Sequence, residues 1–267
     1  MKNLVMEKIA MRNLIQKLSN QKLSTSAEKL LKQRYYKPNE TWADLVKRNV
    51  EAICTDETKA AMYALIFNRV FLPASPCLVN AGYNNGLFPC FTVGPTQDTL
   101  EDGFATLGEI AQVAKKGGGC GFTGSILRPK NAPVAGSVHG YAYGPNRFAE
   151  MVSYAMDAIT QSGFRKMALM YTLSAEHPDI EEFIGLKQSG NEAACYNFNQ
   201  SVMAKDSFLN KAMIDPTSKE GKLFDKICKH AWANGEPGFL FEDTINSNNT
   251  YEHTDQYILT TNPCLTG

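Results

Sequence analysis

No apolar run in this sequence approaches the ~20 residues that a membrane-spanning helix requires. Neither sign of charge is in excess: 27 Lys and Arg balance 27 Asp and Glu, so no net field draws the chain to nucleic acid or to an anionic membrane. Histidine is scarce, with His139, His177, His230 and His253 scattered along the chain. The seven cysteines include no CxxC pair and no cluster with histidine, which leaves no structural zinc spacing. An export signal is also lacking, since Met1 to Leu23 is amphipathic and carries Glu7. The cysteines are therefore expected to be reduced thiols in a cytoplasmic setting. Internal repeats and low-complexity segments are absent.

What is there is an ordinary balance for a chain that buries a core, with 43% hydrophobic and 20% charged residues over 267 positions. Met1 to Ala52 reads as helical. Leu4, Ile9, Leu14 and Leu18 recur at helix-like spacing, and Ser24-Thr25-Ser26 suits the start of a helix through Leu31. Thr41 with Asp44 predicts an N-cap for a helix running toward Ile53, and a further helix is expected from Asp56 to about Arg69. Residues 1–69 are thus expected to be an N-terminal helical region.

The texture changes at Val70, where 70–267 begins to alternate strands with helices. The run from Leu72 to Gly82 is rich in breakers and small residues. Strands are expected at Pro89–Val93, Met167–Leu173, Asn199–Met203, Phe239–Phe241 and Ile258–Thr261. Helices are expected at Leu100–Ala114, Phe148–Ile159, from His177-Pro178-Asp179 through Leu186, and at Asp206–Met213 and Lys222–Ala233. This alternation argues for an α/β architecture with a parallel sheet or barrel. Functional groups in such folds sit at strand ends and in loops, and Asn262-Pro263-Cys264 falls just past the last expected strand.

Several stretches could carry chemistry. Cys264, beside the amide of Asn262, reads as a thiol held for reaction. Four glycines within Gly117–Gly121 demand either positive φ or a very close approach by something else; a tight turn and a ligand loop fit equally. Arg128 could pair bidentately with phosphate, and taken alone it reads as a surface salt bridge. Cys54, Cys195 and Cys228 lie on apolar or helical stretches and are expected in the core. Cys77 and Cys120 lie in breaker-rich loops and are less easily assigned to packing. His177-Pro178-Asp179 marks a helix start.

An ordered set of motifs resembles the catalytic subunit of ribonucleotide reductase from about Leu23 to Cys264. The set is Ser75-Pro76-Cys77-Leu78-Val79-Asn80-Ala81-Gly82, Pro89-Cys90-Phe91, Gly117 to Phe122, Leu127-Arg128-Pro129, Gln161-Ser162-Gly163-Phe164-Arg165, His177-Pro178-Asp179-Ile180, Gly235-Glu236-Pro237-Gly238 and Asn262-Pro263-Cys264. The texture is most similar to the adenosylcobalamin-dependent class II enzymes. Class I, whose radical comes from a metal-containing small subunit, is the alternative.

The resemblance implies the first half of a ten-stranded α/β barrel with the reactive cysteine on a finger loop inside it. It implies that Cys264 becomes a thiyl radical that abstracts the ribose 3′-hydrogen. Cys90 would be half of the dithiol that reduces the 2′-carbon, and Asn262 would hydrogen-bond the ribose hydroxyls. Cys77 and Gly119 would contact substrate. Asp98 and Arg128 would bind a deoxynucleoside triphosphate effector, and the loop carrying Gln161 and Arg165 would relay the effector's identity. The implied partners are a ribonucleotide substrate, the C-terminal half of the reductase, a thioredoxin- or glutaredoxin-type reductant and, when complete, a second copy. This reading requires the sulfurs of Cys264 and Cys90 to share a cleft with a nucleotide sugar between them.

The sequence departs from the family pattern at Thr266, which stands where the pattern has an acid–base glutamate. The second redox cysteine and the substrate phosphate loop would lie beyond Gly267. Cys264-Leu265-Thr266-Gly267 is similar to the opening of many inteins, so the expectations here are truncation or an N-extein ending at Pro263. A rival reading is a non-catalytic nucleotide-binding half-barrel that keeps Asp98 and Arg128.

Overall fold

The computed structural model describes residues 22–83, 86–158, 167–187, 198–254 and 256–264. The helix expected over Leu4 to Leu18 and the Gln161–Lys166 loop lie outside them. The chain divides into two units, Met1–Pro89 and Cys90–Gly267.

In the first unit, short polar side chains start the helices. Ser24 caps α1 (Thr25–Arg34) by accepting from the Ala27 N–H. Thr41 opens α2 (Trp42–Ile53) with the expected capping box, in which Thr41 and Asp44 each accept the other's backbone N–H. Next come α3 (Asp56–Phe67) and α4 (Ser75–Asn80). Leu45, Val46 and Val50 of α2 form a small core with Ile66 and Leu78. The helix α4 was not expected from its breaker-rich sequence; Pro76 is tolerated there because it sits in the first turn, where its missing N–H would have no partner.

The sequence texture changes at Val70, yet residues 70–89 stay with the helical unit, and Arg48 is the reason. Its guanidinium meets Glu40 through Nε at 2.7 Å and Nη2 at 3.1 Å, and donates to the carbonyls of Leu78 and Ala81 at 3.1 and 2.6 Å. The pair is nearly buried, with side-chain exposures of 13% and 8%. Arg48→Ala is expected to destabilise this unit by about 3–5 kcal/mol, because it leaves the Glu40 carboxylate buried and unpaired. Denaturant unfolding followed by Trp42 fluorescence in a Trp232→Phe background checks it. Burial raises the Glu40 carboxyl, but hydrogen bonds from Arg48 and the Lys37 N–H outweigh it and hold the carboxyl below its ordinary 4.5. The stabilisation from this group is therefore full above about pH 4.5 and fades as pH falls through the lower folded value.

The second unit is built on five parallel strands, β1 (Cys90–Thr92), β2 (Gly119–Thr123), β3 (Leu169–Ser174), β4 (Phe198–Ala204) and β5 (Gly238–Phe241), paired in sequence order. Between them run α5 (Leu100–Lys115), α6 (Pro145–Ala158), α7 (Ile180–Ile184), α8 (Asp206–Ile214) and α9 (Lys219–Asn234), and α10 (Glu242–Ser247) follows β5. Strand residues alternate between two faces. One face packs Phe122, Leu169, Tyr171, Leu173, Phe198 and Val202 against Ile110 of α5, Val152 of α6, Phe183 of α7 and Ile227 of α9. Tyr171 is central, stacked on Phe122 at 5.0 Å and edge-on to Phe183 and Phe198 at 5.5 Å. The other face carries Gly119, Gly121, Thr123 and Thr172.

Three expectations change here. Within the glycine run Lys116-Gly117 makes the turn, with Gly117 at φ +77°, while Gly119–Thr123 is strand β2 rather than a ligand loop, its five residues all buried. Ile258–Thr261 forms no strand: side chains and not a ladder receive its backbone. Cys228 is exposed on α9 and is not core, while Cys54, half-buried at the end of α2, packs against the first unit's small core; Cys195 lies outside the described residues.

Candidate active site

Residues 258–264 double back across the polar face of the sheet. At the far end, Asn246 of α10 pairs with the backbone of Ile258. Midway, the buried Thr172 hydroxyl donates to Thr260 Oγ1 at 3.0 Å, and Thr260 reaches the Phe122 carbonyl at 3.4 Å. A Cβ on Gly121 would stand 1.8 Å from the Thr261 carbonyl oxygen, and one on Gly119 would stand 3.3 Å from Cγ of Pro263. The close approach that the glycine run demands is thus made by the chain's own later residues. The alternation in Gly119-Cys120-Gly121-Phe122 is the signal that could have found it: bulk on the packed face, none on the other.

The segment delivers Cys264 to the start of β1. The Cys90 thiol donates to Cys264 Sγ at 3.6 Å, across 174 residues of sequence. Cys90 is half-buried and Cys264 exposed. The sulfurs touch, so the gap for a sugar that the family reading requires between them is not there. The pair also lies where β1 begins, not past the end of a strand. Asn262 is 2% exposed, and its Cα lies 3.3 Å from the Cβ position of Gly121.

Cys120 is next to this pair in register, since Phe91 lies opposite it, but its side chain belongs to the packed face. Burial first, and then the Cys90 and Glu109 charges, push its thiol up from 9.0 to about 12. At pH 8 its thiolate is scarcer by roughly a thousandfold than that of an ordinary cysteine, and the thiolate is the nucleophile. Iodoacetamide followed by peptide mass mapping is expected to label Cys228 and Cys264 within minutes and to leave Cys120 unlabelled.

The other expected site residues fall as follows. Arg128 Nε donates to Asp98 Oδ2 at 2.7 Å and Nη2 to the Asp98 carbonyl at 3.2 Å, so those two come together in a pair that is about one-third exposed. Cys77 lies on α4 in the first unit, donating to the Leu87 carbonyl at 3.5 Å. Gly119 also abuts the Ala168 carbonyl. Gln161, Arg165 and the Leu265–Gly267 stretch lie outside the described residues. His177 is buried, accepting the Asp179 N–H on Nδ1 with Nε2 on the Leu127 carbonyl; it supports the start of α7, as its motif predicts.

A parallel α/β sheet that folds a distant cysteine back onto the cysteine of its first strand defines a thiol-based α/β site. The family model for the ribonucleotide reductase barrel domain matches residues 89–219 and 210–265, and the chain belongs to that family. It is 35% identical over 274 residues to the vitamin B12-dependent ribonucleoside-diphosphate reductase of Mycobacterium tuberculosis (strain CDC 1551 / Oshkosh), covering 91% of this chain and 39% of that one. With the vitamin B12-dependent ribonucleoside-diphosphate reductase of Thermoplasma acidophilum it shares 36% over 265 residues, or 91% and 34% of the two chains. The structure of the Actinobacillus ureae class Id ribonucleotide reductase alpha subunit superposes with a TM-score of 0.78 at 19% identity, covering 91% of this chain and 45% of that one. The five strands are accordingly the first half of the reductase α/β barrel. The chain spans between 34% and 39% of the length of these two relatives. Among the described residues no helix is long and apolar enough to cross a membrane.

Proposed function

We propose that this chain provides the radical-bearing and one reducing thiol of a ribonucleotide reductase, acting with the barrel half that its relatives possess and it does not span. The observation that carries this is the contact between Cys90 and Cys264 Sγ on a face kept open by Gly119 and Gly121. Cys264 gives up its thiol hydrogen and then takes the 3′-hydrogen of a ribonucleotide. Cys90 and a second thiol, on the other half, give two electrons and two protons; the 2′-hydroxyl leaves as water and a disulfide forms. A thioredoxin- or glutaredoxin-type reductant resets that disulfide. Asn262, buried beside Gly121, holds the ribose hydroxyls.

Adenosylcobalamin is the cofactor assigned in this reading, in line with the names of the Mycobacterium and Thermoplasma relatives. The residues present fit it at one point: Cys264 is exposed, so a bulky group can reach its sulfur. When bound, that cofactor supplies the acceptor for the thiol hydrogen, while the protein supplies position and exclusion of water. Asp98 and Arg128, with Gln161 and Arg165, form the effector site for a deoxynucleoside triphosphate, and the complete enzyme is a cytoplasmic homodimer. The test is a reduction assay with the C-terminal half of a reductase added, run once with adenosylcobalamin and once with a class I small subunit. Deoxyribonucleotide formed only with adenosylcobalamin supports the class II reading. Product only with the small subunit moves the chain to class I, and triphosphate binding without product in either arm overturns the catalytic role.

A further inference from the structure

Residues 258–264 have no strand ladder. Two side chains on different elements pair with the first part of the segment. Asn246 of α10 accepts the Ile258 N–H on Oδ1 at 2.8 Å and donates from Nδ2 to the Ile258 carbonyl at 3.1 Å. One amide thus pairs both ways with one residue, as a neighbouring strand would. Thr172 of β3, 0% exposed, donates to Thr260 Oγ1 at 3.0 Å and lies 3.4 Å from the Leu259 carbonyl. Asn246 Nδ2 also donates to the Glu242 carbonyl of its own helix at 3.0 Å, whereas the Thr172 hydroxyl does nothing for β3, which is paired on both edges by β2 and β4.

We propose that Asn246 and Thr172 are positioning residues that set the Cys264–Cys90 sulfur distance through the backbone of residues 258–263. The inference rests on the proposed role of Cys264. The reach is short. Cys264 follows Thr260 by only a few residues, and Pro263 fixes one φ in between. Gly121 and Gly119 form a floor without side chains, which admits the segment. Loss of an anchor therefore lets the thiol wander over that floor while the sheet itself stays intact.

The readout is the equilibrium for cross-linking Cys90 to Cys264 in a glutathione buffer, quantified by peptide mass mapping on the 267-residue chain. Each cross-link consumes one glutathione disulfide and releases two glutathione thiols. Thr172→Val and Asn246→Ala are each expected to lower the equilibrium constant about tenfold, the scale of one or two net hydrogen bonds. Thr172→Ser keeps the hydroxyl and stays within about twofold of the parent. Asn246→Asp keeps the acceptor, loses the donor, and falls between the parent and Asn246→Ala. Ser218→Ala, which removes the cap of α9, lowers the melting temperature and leaves the cross-link unchanged.

If Thr172→Val and Asn246→Ala retain parental circular dichroism and parental cross-linking, the proposal is wrong. It is equally wrong if Ser218→Ala weakens the cross-link as much, or if Thr172→Ser is as weak as Thr172→Val. Should a Val or Ala variant lose its fold, Asn246→Asp decides, and parental cross-linking in it overturns the proposal. The cross-linking measurement uses neither nucleotide nor cofactor, so its outcome stands whether or not the reduction assay yields product.

Discussion

Replacing Cys264 by serine is expected to reduce nucleotide reduction, in the reductase completed with its C-terminal half, by on the order of 10⁴-fold or more, to the uncatalysed background. The change is nearly isosteric. Serine occupies the same place beside Cys90 and preserves the fit of residues 261–263 over Gly121 and Gly119. What it removes is the weak S–H bond, and an alcohol holds its hydrogen far more tightly than a thiol does. The expected signature is therefore a loss in kcat with nucleotide affinity within about twofold of the parent, as for an interaction used only in the chemical step. Rapid-quench measurement of deoxyribonucleotide, with equilibrium nucleotide binding alongside, checks both halves. Retention of more than about a hundredth of the parental rate would show that another group initiates the reaction.

The second large effect is at a residue with no side chain. Gly121→Ala is expected to impair the site more than its single methyl suggests. The added Cβ would stand 1.8 Å from the Thr261 carbonyl oxygen and 2.7 Å from its carbon. Both are backbone atoms, so no rotamer change relieves the contact. The segment has to lift off the sheet by on the order of 1 Å, and a misplacement of that size near reacting groups can cost about a hundredfold in rate. The overpacking adds roughly 1–3 kcal/mol of lost stability. Two measurements separate the outcomes: thermal unfolding for the packing cost, and the Cys90–Cys264 cross-link for the displacement. Gly108→Ala serves as the control, since a Cβ there meets nothing within 4 Å. Parental cross-linking in Gly121→Ala would mean that residues 261–263 do not lie on β2 in solution.

What the sequence revealed, and what it hid, follows from which interactions are local. The strand β3 was legible because it is buried and opens on the apolar run Leu169-Met170-Tyr171, and β4, which carries Asn199, Gln200 and Ser201, was legible from the apolar Val202-Met203-Ala204 at its end. The capping box at Thr41 and Asp44 is a contact three residues long. β2 was obscured because two of its positions hold Gly119 and Gly121; glycine is depleted in strands, and here it answers to a segment more than a hundred residues later. The reverse error occurred at Ile258–Thr261. Its β-branched residues suit a strand, but its partners are the side chains of Asn246 and Thr172, which no local pattern reveals. The helix α4 was hidden by Pro76. The meeting of Cys90 with Cys264 was legible through the family resemblance alone, since nothing in either local sequence names the other.

The order of the strands bears on how the molecule is made. Each strand pairs with the one before it in the chain, so an emerging polypeptide can add β2 to β1, then β3, β4 and β5, without waiting for anything still inside the ribosome. Residues 258–264 are the exception, because Thr260 must return to Phe122, 138 positions back. They dock on a floor already laid. Until that last step the sulfur of residue 90 has no neighbour at position 264, and a half-made chain carries none of the paired thiols that an oxidant could cross-link.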